Sequence, residues 1–305
     1  MTVPPCFVHS LVTRGTEIDA TATVTPQAFL RYFEHLRWRI MQEPVLGLLE
    51  YIHDSHFFVV REQRLELRRR VGMGTALRME TRLARCGRAT ADVLHEALRA
   101  DDGALVARAR VTGVWLNGAR QMARIPDAYR AASAVQAADP LPTRDGGLEA
   151  EREVAGPETE RGGRPRSFVS PVSWAFPPRL LDADLPRESP VAPLHVHALT
   201  VAPRDLDVFG HVNAATWLAL AEDARAAAAI AGDLPADCVG PRWLNRVGLF
   251  YGREAVAGQA LRLALWQPAP GALACAFLDA ASGAMLGSAS VDLVPGATPI
   301  TEPPA

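Results

Sequence analysis

The sequence predicts an α+β chain in which one strand–helix–antiparallel-sheet unit is built twice. Three observations predict it. Two flanks carry their elements in the same order, a Pro- and Gly-rich stretch separates them, and a constant numerical offset carries one flank onto the other.

The first flank opens on an extended stretch, Val8 to Thr13. Thr25-Pro26 then gives a helix start, an N-cap hydroxyl followed by Pro at the first helical position, where its missing N–H costs nothing. Phe29, Phe33, Leu36 and Ile40 recur at helical spacing behind it. His56 to Leu67, Ala76 to Arg85, Thr90 to Ala100 and Leu105 to Leu116 read as strands, the last pair divided by the turn Asp101-Asp102-Gly103. The second flank repeats the plan. Leu194 to Ala202 is extended, Asn213 is expected to cap an Ala-rich helix, and Trp217, Leu220, Ala221 and Ala224 mark its apolar face. Trp243 to Gly252, Gln259 to Gln267, Leu273 to Asp279 and Ala284 to Val294 are its strands, with a turn at Ser282-Gly283. Trp115, Trp243 and Trp266 alternate with apolar neighbours and are expected in the core.

Between the flanks, Ser133 to Pro193 holds ten of the 24 prolines, with Gly pairs at Gly146-Gly147 and Gly162-Gly163. Such a composition sustains neither a helix nor a central strand and reads as a linker. Its end, Phe168 to Leu181, carries Trp174 and Phe176 and is expected to pack across a domain surface. The domains are therefore expected at 1–132 and 194–305. The numbering offset from Asp19 to Asp207, from Glu34 to Glu222 and from Arg37 to Arg225 is 188 in every case. From Gly74-Thr-Ala-Leu77 to Gly258-Gln-Ala-Leu261 it is 184. A four-residue deletion after the second helix reconciles the two registers.

Composition narrows the function classes. The 305 residues are 49% hydrophobic and 22% charged, with a net charge of −2. That balance gives no electrostatic argument for nucleic acid. Charge is uneven, net +5 over residues 1–132 and −7 over 133–305. Every basic residue is Arg, which excludes Schiff-base chemistry on Lys and a Walker phosphate loop. Cys6, Cys86, Cys238 and Cys275 are scattered, so no structural metal is expected and a reducing compartment suits them. No stretch is long and apolar enough to span a membrane, and Met1 to Ser10 lacks the plan of a signal peptide; a cytoplasmic protein is expected.

Chemistry concentrates in Arg204-Asp-Leu-Asp-Val-Phe-Gly-His-Val-Asn213. Two carboxylates, a Gly, a His and a capping Asn fall just before a helix N-terminus, whose free N–H groups suit a polarised carbonyl. Asp207 and His211 flank the turn and can orient water or substrate there. The plainer alternative is that Asp205 or Asp207 caps the turn and His211 is structural.

This segment resembles the signature D-x-D-x-x-G-H-V-N-N of the hotdog-fold acyl thioesterases. It matches at Asp205, Asp207, Gly210, His211, Val212 and Asn213, with Ala214 for the second Asn, and the following E-x-A-R matches at Glu222, Ala224 and Arg225. The doubled plan is similar to the acyl-carrier-protein thioesterases, which fuse two hotdogs in one chain, each a central helix wrapped by an antiparallel sheet. That family carries its catalytic carboxylate in a Y-R-R-E-C motif on the strand after the helix. Tyr251-Gly-Arg253-Glu254-Ala255 occupies the place, so the resemblance makes Glu254 the catalytic acid. It implies Glu254 as general base or nucleophile, His211 as the group polarising the thioester, Asp207 as its orienter and the helix N-terminus as oxyanion holder. Phe209, Gly210, Val212, Asn213 and Tyr251 would line the substrate site.

Three departures stand out. Phe209 replaces the family's Asn, and Ala255 replaces the Cys, so no thiol nucleophile is implied. In the first copy Ala22-Thr-Val-Thr25 stands for Gly-His-Val-Asn and Arg70 for Glu254, which makes that copy scaffold and acyl-pocket wall. No Gly-x-Ser-x-Gly elbow and no Gly-x-Gly-x-x-Gly occurs. The Arg61, Arg64, Arg68, Arg69 and Arg70 cluster either meets phosphate-bearing substrate or is a solvated strand face, the second being preferred. Arg37 and Arg225 are expected to be structural.

The expected reaction is hydrolysis of acyl thioesters, fatty or polyketide. Alternatives are lyase chemistry on a carrier-bound chain, kept open by Phe209, and a non-catalytic acyl-binding module. The expected partners are an acyl carrier protein or a coenzyme A thioester and, for the chain itself, a second copy. No cofactor, metal, nucleic acid or membrane partner is expected.

Overall fold

The computed structural model describes residues 3–138, 192–239 and 242–295. Its strands are β1 (Phe7–Val12), β2 (Phe57–Leu67), β3 (Ala76–Cys86), β4 (Thr90–Arg99), β5 (Leu105–Leu116), β6 (His195–Thr200), β7 (Arg242–Tyr251), β8 (Ala260–Ala269), β9 (Ala272–Asp279) and β10 (Met285–Pro295). The helices are α1 (Pro26–Met41), α2 (Leu49–His53), α3 (Asp127–Ala137) and α4 (Thr216–Ala231). The ten strands form one sheet in the order β1-β3-β4-β5-β2-β7-β10-β9-β8-β6, and the neighbouring strands pair antiparallel.

The strand order reads the same from both edges once the second five strands are renumbered. Register repeats too. Leu11 pairs with Leu77 and Leu199 with Leu261, and the two offsets that the sequence carries map the first pair onto the second. At the joint, β2 pairs with β7, and Arg64 stands opposite Gly248, its own equivalent under the later offset. This is the geometry of a two-fold contact between like surfaces, achieved within one chain.

Both long helices lie on this sheet and share one core. Thr25 caps α1 as expected, its hydroxyl accepting from the Ala28 N–H at 3.2 Å. Phe29, Leu30, Phe33 and Leu36 are essentially inaccessible, each contributing about 1.5–3 kcal/mol of burial. Helix α4 buries Ala221, Ala224 and Ala228, whose small side chains let the helix sit close to the sheet, while Trp217 packs on Phe277 at 4.6 Å between ring centres. A second cluster gathers Trp115 with Leu46, Leu83 and Tyr129 beneath α3.

Helices α2 and α3 are not legible in the sequence. Helix α3 runs through Ala137, past Ser133, so the expected linker begins with the last turn of a helix. That turn is held by polar groups: Gln136 accepts from the Leu83 N–H at 2.7 Å and donates to the Pro4 carbonyl at 2.7 Å, and Ser133 donates to the Ala84 carbonyl. Trp115 is fully buried as expected and Trp266 half-buried. Residues 139–191, with Trp174 and Phe176, lie outside the described residues, as does the Trp243 side chain.

Candidate active site

The segment before α4 is a tight turn closed on itself. The Asp207 N–H donates to the His211 carbonyl at 2.9 Å and the Gly210 N–H to the Asp207 carbonyl at 3.1 Å. Gly210 takes φ +81°, a left-handed conformation that glycine enters freely. The Asp207 carboxylate accepts from the Phe209 N–H at 2.9 Å, which leaves its other oxygen for His211. The first half builds the same turn: Asp19 N–H to Thr23 carbonyl at 2.9 Å, Ala22 N–H to Asp19 carbonyl at 3.0 Å, and Ala22 itself at φ +60°. Frame and position are shared, but the histidine is not. Thr23 fills its place, buried and turned onto Thr21 at 2.9 Å.

Three chemistry-bearing side chains meet in the second half. His211 Nδ1 lies 3.1 Å from Asp207 Oδ2, and Nε2 lies 3.8 Å from Glu254 Oε1. The Nε2 atom is buried and has no hydrogen-bond partner among the described residues. The hydrogen bond that His211 donates to Asp207 raises the His211 pKa above 6.5; burial opposes it, and the charges of Asp207 and Glu254 reinforce it. Glu254 follows β7, and the Val212 N–H donates to the carbonyl of its buried neighbour Ala255 at 2.8 Å, tying the acid-bearing segment to the histidine turn.

The first half supplies the rest of the surroundings. Phe209 stacks on Phe57 and Trp38, with ring centres 5.0 and 5.9 Å away, and on His211 at 5.8 Å. The residue standing for the family's Asn is thus an aromatic wall between the halves. Arg120, in the turn after β5, makes an ion pair with Glu254 Oε2. Sequence reasoning missed Arg120, Trp38 and Phe57, because no local pattern links them to a motif in the other half of the chain.

Asn213 and Tyr251 also come to the joint, in ways the motif does not specify. Helix α4 begins at Thr216, so Asn213 stands before the cap position. Its side chain accepts from the Ala215 N–H at 2.8 Å and its carbonyl from the Thr216 N–H at 2.9 Å. These two N–H groups at the helix entry are therefore engaged locally rather than open to an oxyanion. Tyr251 donates to the Ala214 carbonyl at 2.7 Å and accepts from Gln63 of β2 at 2.8 Å, so it braces the joint; burial raises its pKa. Val212 is buried in the common core, and Gly210 is exposed at the turn.

The arginine cluster is largely an ion-paired face. Arg64 pairs with Glu62, Arg68 with Glu66 at 3.1 Å, and Arg61 lies 4.4 Å over the Phe250 ring. Arg225 pairs with Glu222 at 2.8 Å, as a structural role requires; Arg37 is half-buried near Glu34 and Tyr251, with its Nη1 buried and unpartnered. Cys238 and Cys275 are buried, and burial raises the Cys275 thiol pKa. Among the described residues no three His, Cys, Asp or Glu side chains gather to hold a metal, and no helix is long and apolar enough to cross a membrane.

A thioesterase-like superfamily model matches residues 13–133. The match falls on the half that lacks the acid and the histidine, although the motif is stronger in the other half; the turn, helix and strand frame is what that half retains. No curated protein matches the chain. The fold is similar to that of the 12:0-ACP thioesterase from Umbellularia californica, with a TM-score of 0.67 at 16% identity over 96% of this chain and 98% of that one. It is similar also to an acyl-ACP thioesterase from Bacteroides thetaiotaomicron, with a TM-score of 0.62 at 14% identity over 95% and 98%. Residues 13–133 thus match the thioesterase-like superfamily, and nearly the whole chain has the fold of these two acyl-ACP thioesterases.

Proposed function

We propose that the chain hydrolyses acyl thioesters at one site, centred on Glu254, in a molecule made of two tandem hotdog units. The unit boundaries follow the sequence, 1–132 and 194–305, with α3 extending the first to Ala137. One observation carries the proposal: His211 is held at Nδ1 by Asp207 while its unpartnered Nε2 faces the Glu254 carboxylate 3.8 Å away. That gap is too long for a hydrogen bond and leaves both groups in reach of a third reactant.

The chemistry follows from charge. The Glu254 carboxylate takes a proton from water as the water oxygen attacks the thioester carbonyl carbon. His211, whose charged form Asp207 favours, donates a hydrogen bond from Nε2 to the carbonyl oxygen as negative charge develops there. The C–S bond then breaks, the thiolate recovers the proton held by Glu254, and free acid and thiol leave. The family match and the two acyl-ACP thioesterase folds favour a carrier-protein or coenzyme A thioester as substrate. Phe209, placed by stacking against the first half, is assigned to the acyl-pocket wall rather than to a lyase site.

The test is thiol release from a panel of acyl-CoA and acyl-carrier thioesters. Stoichiometric thiol and free acid are expected. A mass change without thiol would overturn hydrolysis in favour of lyase chemistry, and binding without turnover would leave only an acyl-binding module.

A further inference from the structure

Arg120 is an arginine where the backbone favours glycine. Strand β5 ends at Leu116, and the chain reverses through Asn117-Gly118-Ala119-Arg120-Gln121 before Met122 bridges back to Leu116. The Asn117 side chain accepts from the N–H groups of Ala119 and Gln121 at 3.1 and 2.9 Å, and the Arg120 N–H donates to the Asn117 carbonyl at 2.8 Å. The reversal places Arg120 at φ +59°, one of three described non-Gly residues with positive φ. For a long L side chain that conformation is strained.

The ion pair with Glu254 does not offset this by itself. The Arg120 and Glu254 side chains are 53% and 40% exposed, and ion pairs so open to solvent add little to stability. Stability alone would place glycine here. What the arginine gains is geometric. Its turn belongs to the first half, and its guanidinium crosses the joint to a carboxylate of the second. It holds Oε2, so the other oxygen, Oε1, is the one left facing His211 Nε2.

We propose that Arg120 is a positioning residue for Glu254. By fixing Oε2 it stops the carboxylate from rotating away and keeps Oε1 at His211, so the half without acid or histidine completes the site of the other. This rests on Glu254 being the acid of a thioester hydrolase. A misplacement of about 1 Å at such a group is enough to lower turnover by about 100-fold.

Arg120→Gly separates geometry from stability, because it removes the guanidinium and relieves the backbone together. The full-length variant is expected to keep or raise its Tm, to lose about 10- to 100-fold in kcat, and to keep KM within about threefold. Arg120→Lys, which keeps a cation but not the planar fork, is expected to recover part of kcat. Full kcat in Arg120→Gly beside an inactive Glu254→Gln would overturn the positioning role and leave the hydrolase reading intact. A rise in KM with kcat unchanged would also overturn it, since that assigns Arg120 to substrate binding. Full activity in Glu254→Gln would instead remove the reading on which the proposal stands.

Discussion

Asn213 and Glu34 meet across the joint between the halves, the Asn213 Nδ2 lying 3.0 Å from each carboxylate oxygen of Glu34. Asn213 enters α4 of one half, and Glu34 lies mid-way along α1 of the other. The same asparagine accepts the Ala215 N–H, so one side chain sets the start of a helix and ties it to its counterpart. Asn213→Ala is expected to lower unfolding stability by about 1–3 kcal/mol, measured by denaturant titration, because it leaves a half-buried carboxylate and a helix-entry N–H without their partner. An unchanged stability would show that the contact carries no weight.

Ala22 carries the turn geometry of Gly210 without being glycine, at φ +60° on an exposed corner. Ala22→Gly is expected to stabilise the protein by about 0.5–1 kcal/mol, since relief of the left-handed strain exceeds the entropy lost to a freer unfolded chain. Thiol release should not change. Thermal unfolding that shows a lower Tm would contradict the shared-turn account.

His211 gives a pH signature with a defined sign. Its pKa is raised above 6.5 by the Asp207 hydrogen bond first, so the stability it contributes is complete below 6.5 and is lost as pH rises through the folded value. The stability gap between wild type and Asp207→Asn should therefore be larger at about pH 6 than at about pH 9. His95 acts in the opposite sense: burial, then Arg37, hold its pKa well below 6.5, so its penalty grows as pH falls below 6.5. It is present in both proteins and cancels in the difference. A gap independent of pH would mean that Asp207 does not stabilise the charged imidazole.

Phe209 is expected to be structural as well as substrate-facing. Phe209→Ala should cost about 1–2 kcal/mol through the lost stack on Phe57 and Trp38, and should raise KM more than it lowers kcat. Phe209→Asn, which recovers the residue type of the resembling family, should show no gain in turnover. Higher kcat in that variant would assign the position to the polar chemistry it lacks.

Much of the frame is legible because strands announce themselves by alternation. Leu105 to Leu116 can be read to the residue, and both register offsets reappear in the pairing of Leu11 with Leu77 and Leu199 with Leu261. Helix α3 escapes because the side chains it buries include Ser133 and Gln136, whose partners are backbone groups of β3 and the N-terminal segment. In the site, Asp207, His211 and Glu254 can be read because a local turn and one strand end carry them. Arg120, Trp38 and Phe57 cannot, since it takes the joining of the halves, through β2 with β7 and α1 with α4, to bring them to it. The Asn213 expectation is half right: the residue caps the approach to α4, while its amide serves the opposite helix.

The central claim is that one carboxylate, Glu254, performs the chemistry while its equivalent in the first half, Arg70, does not. Thiol release by Glu254→Gln and Arg70→Gln, each shown folded by circular dichroism, tests it most directly. The account predicts that Glu254→Gln loses about two to four orders of magnitude in kcat, the span of a general-base contribution, and that Arg70→Gln keeps the chemical step. Near-normal hydrolysis by folded Glu254→Gln would contradict it.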